Sequence, residues 1–196
     1  MLALISRLLT WSLVVATAVA ISFLESKIAS IFQFDPEGFF VFFVIPMGAV
    51  YIGYAATIGF IFGAAMFRRY CDEIDRWFAI CVALGSMLLT YYIPYKNLEQ
   101  ESQAFGMHET FLDFIDHSIS EREQITFVSM EYKGAKFEGE FEGGEVGQNW
   151  GMVLFVLEAI GFAIGGAWVI ESANKQTRLD DYWASWARSD RARSSR

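Results

Sequence analysis

Few residues of this 196-residue chain have the type and spacing that chemistry needs. Glu158 stands out, because it interrupts the apolar run Gly151–Ile170 and is the only charged residue well inside any such run. An acid buried in lipid marks a proton relay, an ion ligand or a hydrogen bond to a neighbouring helix. His108 and His117 are the only histidines; nine residues apart on one helix, they point to opposite sides and cannot be joint ligands. Glu109, Asp113 and Asp116 have oxygens suited to a hard cation such as Ca²⁺, but a solvated acidic face is the simpler account. Cys71 and Cys81 form neither a CxxC pair nor a disulfide framework. No GxSxG, HExxH, P-loop or GxGxxG occurs, and no histidine in an apolar run is placed to ligate haem. The expectation is therefore a non-enzyme with no metal and no cofactor.

Two sets of small residues have spacing that serves packing. Ala55, Gly59 and Gly63 recur every four residues, and Gly161 and Gly165 form GxxxG. Such stripes let membrane helices approach closely, so these two helices are expected to pack on each other or on a partner's helix. In the tail, Leu179, Tyr182, Trp183 and Trp186 follow i, i+3, i+4, i+7 spacing beside Arg178, Arg188, Arg191, Arg193 and Arg196. That pattern predicts a short amphipathic helix lying on an anionic membrane surface.

The elements that must position these residues are spans. About 20 apolar residues of helix cross a bilayer core, and the chain has four such runs: residues 8–24, 38–67, 77–95 and 151–170. The second is long for one crossing and should tilt, with Pro46 placed to kink it. Ala18-Val19-Ala20 resembles a signal-peptide cleavage site, but the first run reads as a retained signal anchor. With both termini on the cytoplasmic side, ten Lys and Arg fall inside and five outside, as positive charge at the cytosol requires. Trp11, Trp77, Trp150 and Trp168 lie near span ends, as an aromatic belt would place them.

Residues 96–150 carry 12 acids and 4 bases, a net −8 that equals the charge of the whole chain. Such a balance excludes nucleic acid as a partner. Within this segment, 107–120 predicts an amphipathic helix, with Phe111, Leu112, Ile115 and Ile119 on one face. Gln124 to Tyr132 and Ala135 to Phe141 predict a hairpin turned at Lys133-Gly134. The fold class expected is an all-α membrane protein of four transmembrane helices, with a small α+β extracytoplasmic domain at 96–150 and a cytoplasmic tail at 171–196. Asp35 and Pro36 are suited to cap the second span.

The order of a short outer loop, a short inner loop and a large outer loop is similar to that of tetraspanins, whose Cys-Cys-Gly motif has no counterpart here. The layout also resembles the four-span thiol-oxidising quinone reductases, whose outer-loop cysteine pairs are missing. Neither resemblance implies an activity. The function expected is a non-catalytic accessory or scaffold subunit of a bacterial inner-membrane assembly, partnered by lipid and by other membrane subunits or itself. Two alternatives are a small oligomeric channel or transporter using Glu158, and a membrane-resident binding, sensor or toxin-immunity protein using the acidic face.

Overall fold

A computed structural model describes residues 2–32, 46–103, 110–122, 131–132, 135–136 and 150–194. Its elements are α1 (Leu2–Phe32), α2 (Met47–Ala56), α3 (Gly59–Phe67), α4 (Glu73–Gln103), α5 (Phe111–Arg122), β1 (Glu131–Tyr132), β2 (Ala135–Lys136) and α6 (Trp150–Ser194). Four helical stretches are long and apolar enough to cross a membrane: Ala3–Ile28, Met47–Phe67, Glu73–Gln100 and Gly151–Arg188. The chain is thus a multi-pass, nearly all-helical membrane protein. Two compact units divide it: 1–94 with 158–196, and 95–157.

In the first unit the helices form a closed ring of four neighbours, and the direction of each pair follows from its contacts. Thr17 faces Ala56, Val14 faces Gly59 and Thr10 faces Gly63, so α1 runs antiparallel to α2 and α3. On its other side α1 runs parallel to α4, since Trp11 meets Asp75 and Ser22 meets Ser86. Helix α6 runs antiparallel to α4, with Asn174 at Cys71, Gly166 at Ala79 and Glu158 at Tyr91. It runs parallel to α2, with Gly161 against Pro46 and Ala49 and Gly165 against Val50 and Tyr54. The core between them is Val14, Phe60, Ala64, Ala79, Val169, Ile170 and Ala173.

The second span differs from one long tilted helix. Pro46 precedes α2 rather than kinking it, as suits a residue without an N–H to donate. The break comes at Thr57–Ile58, where Thr57, Ile58, Phe60 and Ile61 N–H groups each bond three residues back. No backbone polar group can stay unpaired in lipid. The Ala56 carbonyl accepts the Thr17 hydroxyl at 2.9 Å, and the buried Thr57 hydroxyl donates to the Gly53 carbonyl at 2.8 Å. Residues 33–45, with Asp35 and Pro36, lie outside the described residues.

Helix α6 continues from the fourth span into the tail without interruption, rather than ending near Ile170 before a separate short helix. At 1.5 Å per residue, its 45 residues extend about 67 Å, twice a bilayer core.

The second unit holds α5, capped by Thr110. The Thr110 hydroxyl accepts the Asp113 N–H at 3.3 Å while the Asp113 carboxylate accepts the Thr110 N–H at 3.0 Å, a reciprocal capping box. Tyr95 is buried against Phe111 and Phe114, with ring centroids 5.4 and 5.8 Å away. The expected hairpin is corrected. Among the described residues it consists of two antiparallel two-residue strands, Glu131 opposite Lys136 and Tyr132 opposite Ala135. Strands this short bury no face, so they do not make this segment an α+β domain.

Candidate functional site

Two polar layers cross the apolar bundle. The first is the one that the sequence marks with Glu158, which is fully buried on α6. Its carboxylate accepts the Tyr91 hydroxyl of α4 at 2.8 Å. Burial of the acid is paired with burial of its donor, as a polar group in lipid requires. Glu158 is not the sole acid within a span, however. Glu25 of α1 is also buried, at 6% exposure. It follows Ser22 by one turn, and Ser22 meets Ser86 of α4 hydroxyl to hydroxyl at 2.8 Å. The sequence reading missed Glu25 because it ended the first run at Leu24; the helix carries on to Phe32. A charge at the edge of an apolar run leaves its depth undetermined until helix length is known.

The second layer closes one end of the bundle, and no sequence motif points to it. Asp75 is fully buried. Its carboxylate accepts Arg7 Nε at 3.2 Å, Trp11 Nε1 at 2.9 Å, the Asp72 backbone N–H at 3.0 Å and the guanidinium of Arg69. Asp72 pairs with Arg7 in turn and accepts the Asp75 N–H at 3.1 Å. Asp72 and Asp75 therefore form a capping box at the start of α4, and two arginines neutralise the carboxylates. Arg69 arrives there because Arg68 turns the chain with a left-handed backbone, φ 47°, unusual for a residue other than glycine or asparagine. Trp11 stacks on Phe78 at 4.3 Å and donates to Asp75, so it belongs to this cluster. Trp77 and Trp168 are exposed on the outer faces of their helices.

The same loop is tied to α6. The Asn174 side-chain amide accepts the Cys71 N–H at 2.7 Å and donates to the Cys71 carbonyl at 3.1 Å. Burial, aided by the Asp75 charge, pushes the Cys71 thiol up to about 11, which leaves it a neutral thiol at pH 7. Tyr70 donates to Asp181 at 2.9 Å, and that bond raises the phenol above its ordinary value.

Desolvation pushes the Asp72 carboxyl up, but the Asp75 N–H and the Arg7 guanidinium outweigh it and hold the group below its usual 3.8. A carboxyl depressed in the folded state stabilises the fold above its unfolded pKa and loses that contribution as pH falls through the folded value. The melting-temperature gap between the wild type and Asp72→Asn is thus expected to be full at neutral pH and to close below about pH 4. A gap independent of pH would assign the effect to shape alone.

The small residues expected to mediate packing do their work inside the chain. A Cβ at Gly59 would lie 2.9 Å from the Val14 backbone, and one at Gly63 would lie 2.5 Å from the Thr10 side chain. A Cβ at Gly161 would lie 2.8 Å from the Ala49 Cβ, and one at Gly165 would be 2.6 Å from the Tyr54 nitrogen. Gly161 and Gly165 thus admit α2, whereas Gly59 and Gly63 admit α1. Ala55 is half-buried.

His117 is exposed on α5; His108 and Glu109 lie outside the described residues. Asp113 binds Thr110, which holds its carboxyl below the usual value. Among the described residues no group of three or more His, Cys, Asp or Glu is placed to hold a metal. In the tail, Leu179, Tyr182, Trp183 and Trp186 are all exposed, and the rings of Tyr182, Trp183 and Trp186 stack edge-on in series. No protein-family model matches the sequence, and no curated protein or solved structure matches it either.

Proposed function

We propose that this chain is a non-catalytic accessory or scaffold subunit of a bacterial inner-membrane complex, with both termini cytoplasmic and residues 96–150 outside. One observation carries the reading: a tightly interlocked bundle holds a 45-residue helix whose end projects an exposed aromatic face. The glycine faces are filled by the chain's own helices, so the bundle serves as a platform and the projecting face as the contact. Orientation is supported by Arg7 and Arg69, which gather at the end where α1 begins and where α6 emerges. Extraction of the full chain into native-lipid particles tests the reading. Stoichiometric co-purification with a membrane partner, or as an oligomer, is expected; a lone monomer would remove its support.

A second reading rests on the buried pair of acids on different helices, Glu25 and Glu158, with Tyr91 bonded to Glu158. Carboxyls at membrane depth are the groups that relay protons or cations. Four spans of one chain enclose little room, so a pathway needs an oligomer. If Glu158 carries the ion, Glu158→Gln should abolish proton or cation flux into vesicles reconstituted with the protein. Flux that survives this change would discard the relay.

A further inference from the structure

The layer that holds Glu158 has a second acid at the same height. Helices α1 and α4 keep one register over two contacts, since Trp11 meets Asp75 and Ser22 meets Ser86, each pair 64 residues apart. Glu25 is therefore level with Leu89 of α4, and Tyr91 follows Leu89 by about 3 Å of helix. Tyr91 in turn holds Glu158 by a 2.8 Å hydrogen bond. Both acids are buried, as are Ser22, Ser86, Thr90 and Tyr91. The two carboxyls thus lie inside the bundle within about one helical turn of each other in height.

The groups around these acids can both give and accept a proton, because a hydroxyl is donor and acceptor at once. Ser22 and Ser86 meet at 2.8 Å and either can be the donor, so that link works in both directions. Thr90 stands one turn after Ser86 and next to Tyr91. Pro94, inside α4, has no N–H to give to the Thr90 carbonyl, which adds an acceptor at the height of both acids.

We infer that the ion taken up and passed on by this layer is the proton and not a metal cation. Residues 8–26, 46–67, 77–95 and 150–174 contain no Lys, Arg or His, whereas Asp72 and Asp75 lie against Arg7 and Arg69. Charge at membrane depth is costly, and a proton neutralises a carboxyl through one O–H bond without a coordination shell. A hard metal cation needs more: Ca²⁺ takes about 6–8 oxygens, and Mg²⁺ keeps several waters in an octahedron. Here the Ser22 and Ser86 hydroxyls bond each other, and the Thr90 hydroxyl donates to the Met87 carbonyl at 2.6 Å. Among the described residues no group of three or more His, Cys, Asp or Glu is placed to hold a metal. A proton also passes between hydrogen-bonded groups without an open pore, so the close packing of the spans does not oppose it; the oligomer supplies the rest of the path. This inference rests on the relay reading and names the ion that the relay moves.

The full chain reconstituted in vesicles loaded with a pH-sensitive dye tests it, with a potassium gradient and valinomycin setting an inside-negative potential. The wild type is expected to acidify the lumen. Glu158→Gln keeps a carbonyl oxygen to accept the Tyr91 hydroxyl, so the fold persists while acidification falls to the rate of protein-free vesicles; Glu25→Gln should act likewise. Tyr91→Phe removes one hydrogen bond to the acid and should slow uptake about tenfold. Infrared spectra of the wild type give a measurement that needs no variant to fold. A carboxyl C=O band that moves when H₂O is replaced by D₂O is expected, and its absence at neutral pH would overturn the inference. Uptake of a sodium or calcium tracer without acidification would also overturn it and leave the relay reading standing. Vesicles that move neither ion, or that acidify equally with Glu158→Gln, would end both.

Discussion

Asp75→Ala is expected to destabilise the bundle by about 3–5 kcal/mol, the range for removing one partner of a buried ion network. The carboxylate has no exposed surface and binds two guanidiniums, an indole N–H and the Asp72 N–H. Without it, Arg69 loses its acidic partner, Arg7 keeps only Asp72, and the Trp11 N–H is left without an acceptor. The first turn of α4 also loses half of its capping box. Three chain segments separate at once: the start of α1, the loop after α3 and the start of α4. Reversible unfolding in bicelles or detergent, followed by steric trapping or denaturant titration, gives the difference in free energy. Glu73→Ala is the control on the same turn. Its pair with Arg76 has side-chain exposures of 71% and 43%, and its loss should change stability by less than about 1 kcal/mol. Equal losses for the two variants would mean that burial of Asp75 does not matter and would sink the account of this layer.

A methyl group at Gly165 is expected to cost about 3 kcal/mol, the upper part of the range for overpacking a filled core. The added carbon would collide with the Val50 carbonyl oxygen, and it would sit 2.6 Å from the Tyr54 nitrogen and 3.0 Å from the Gly53 carbonyl carbon. All three are backbone atoms of α2, so relief requires moving a helix rather than turning a side chain. Gly85→Ala supplies the comparison, because a Cβ there meets nothing within 4 Å. It should stay within about 0.5 kcal/mol of wild type, as surface changes usually do. Equal effects would show that α6 and α2 are not in the close contact described. Gly161→Ala belongs between these extremes, since its methyl would meet the Ala49 Cβ at 2.8 Å and the Pro46 ring at 3.0 Å, tight contacts but less close than those at Gly165.

The four spans were legible in the sequence because a bilayer imposes length and apolarity on anything that crosses it, and both can be read one residue at a time. The amphipathic helix expected at 107–120 was legible for a similar reason, since its period is local, although the described helix starts at Phe111 behind its Thr110 cap. So was the burial of Glu158, with 19 uncharged positions around it in its run. Span ends were less so: α1 runs on past Leu24, which hid Glu25, because a helix does not stop at the first charge. The break at Thr57–Ile58 has no proline to announce it, and it is held open by a hydroxyl 39 residues away, Thr17.

What the sequence by itself determined is the class of protein, the number of helices long and apolar enough to cross a membrane and the clustering of acid in one segment. These follow from transfer of side chains between water and lipid, a property of each residue alone. Only the tertiary structure decided which helix each glycine admits, that Arg7, Trp11, Arg69 and Asp72 converge on Asp75, and that the tail aromatics stand on an unbroken extension of the fourth span. Those facts depend on the pairing of helices up to 115 residues apart in sequence, as Val50 and Gly165 are. In lipid the hydrophobic effect does not choose between such pairings; shape and hydrogen bonding do, and neither is written in any one segment of the chain.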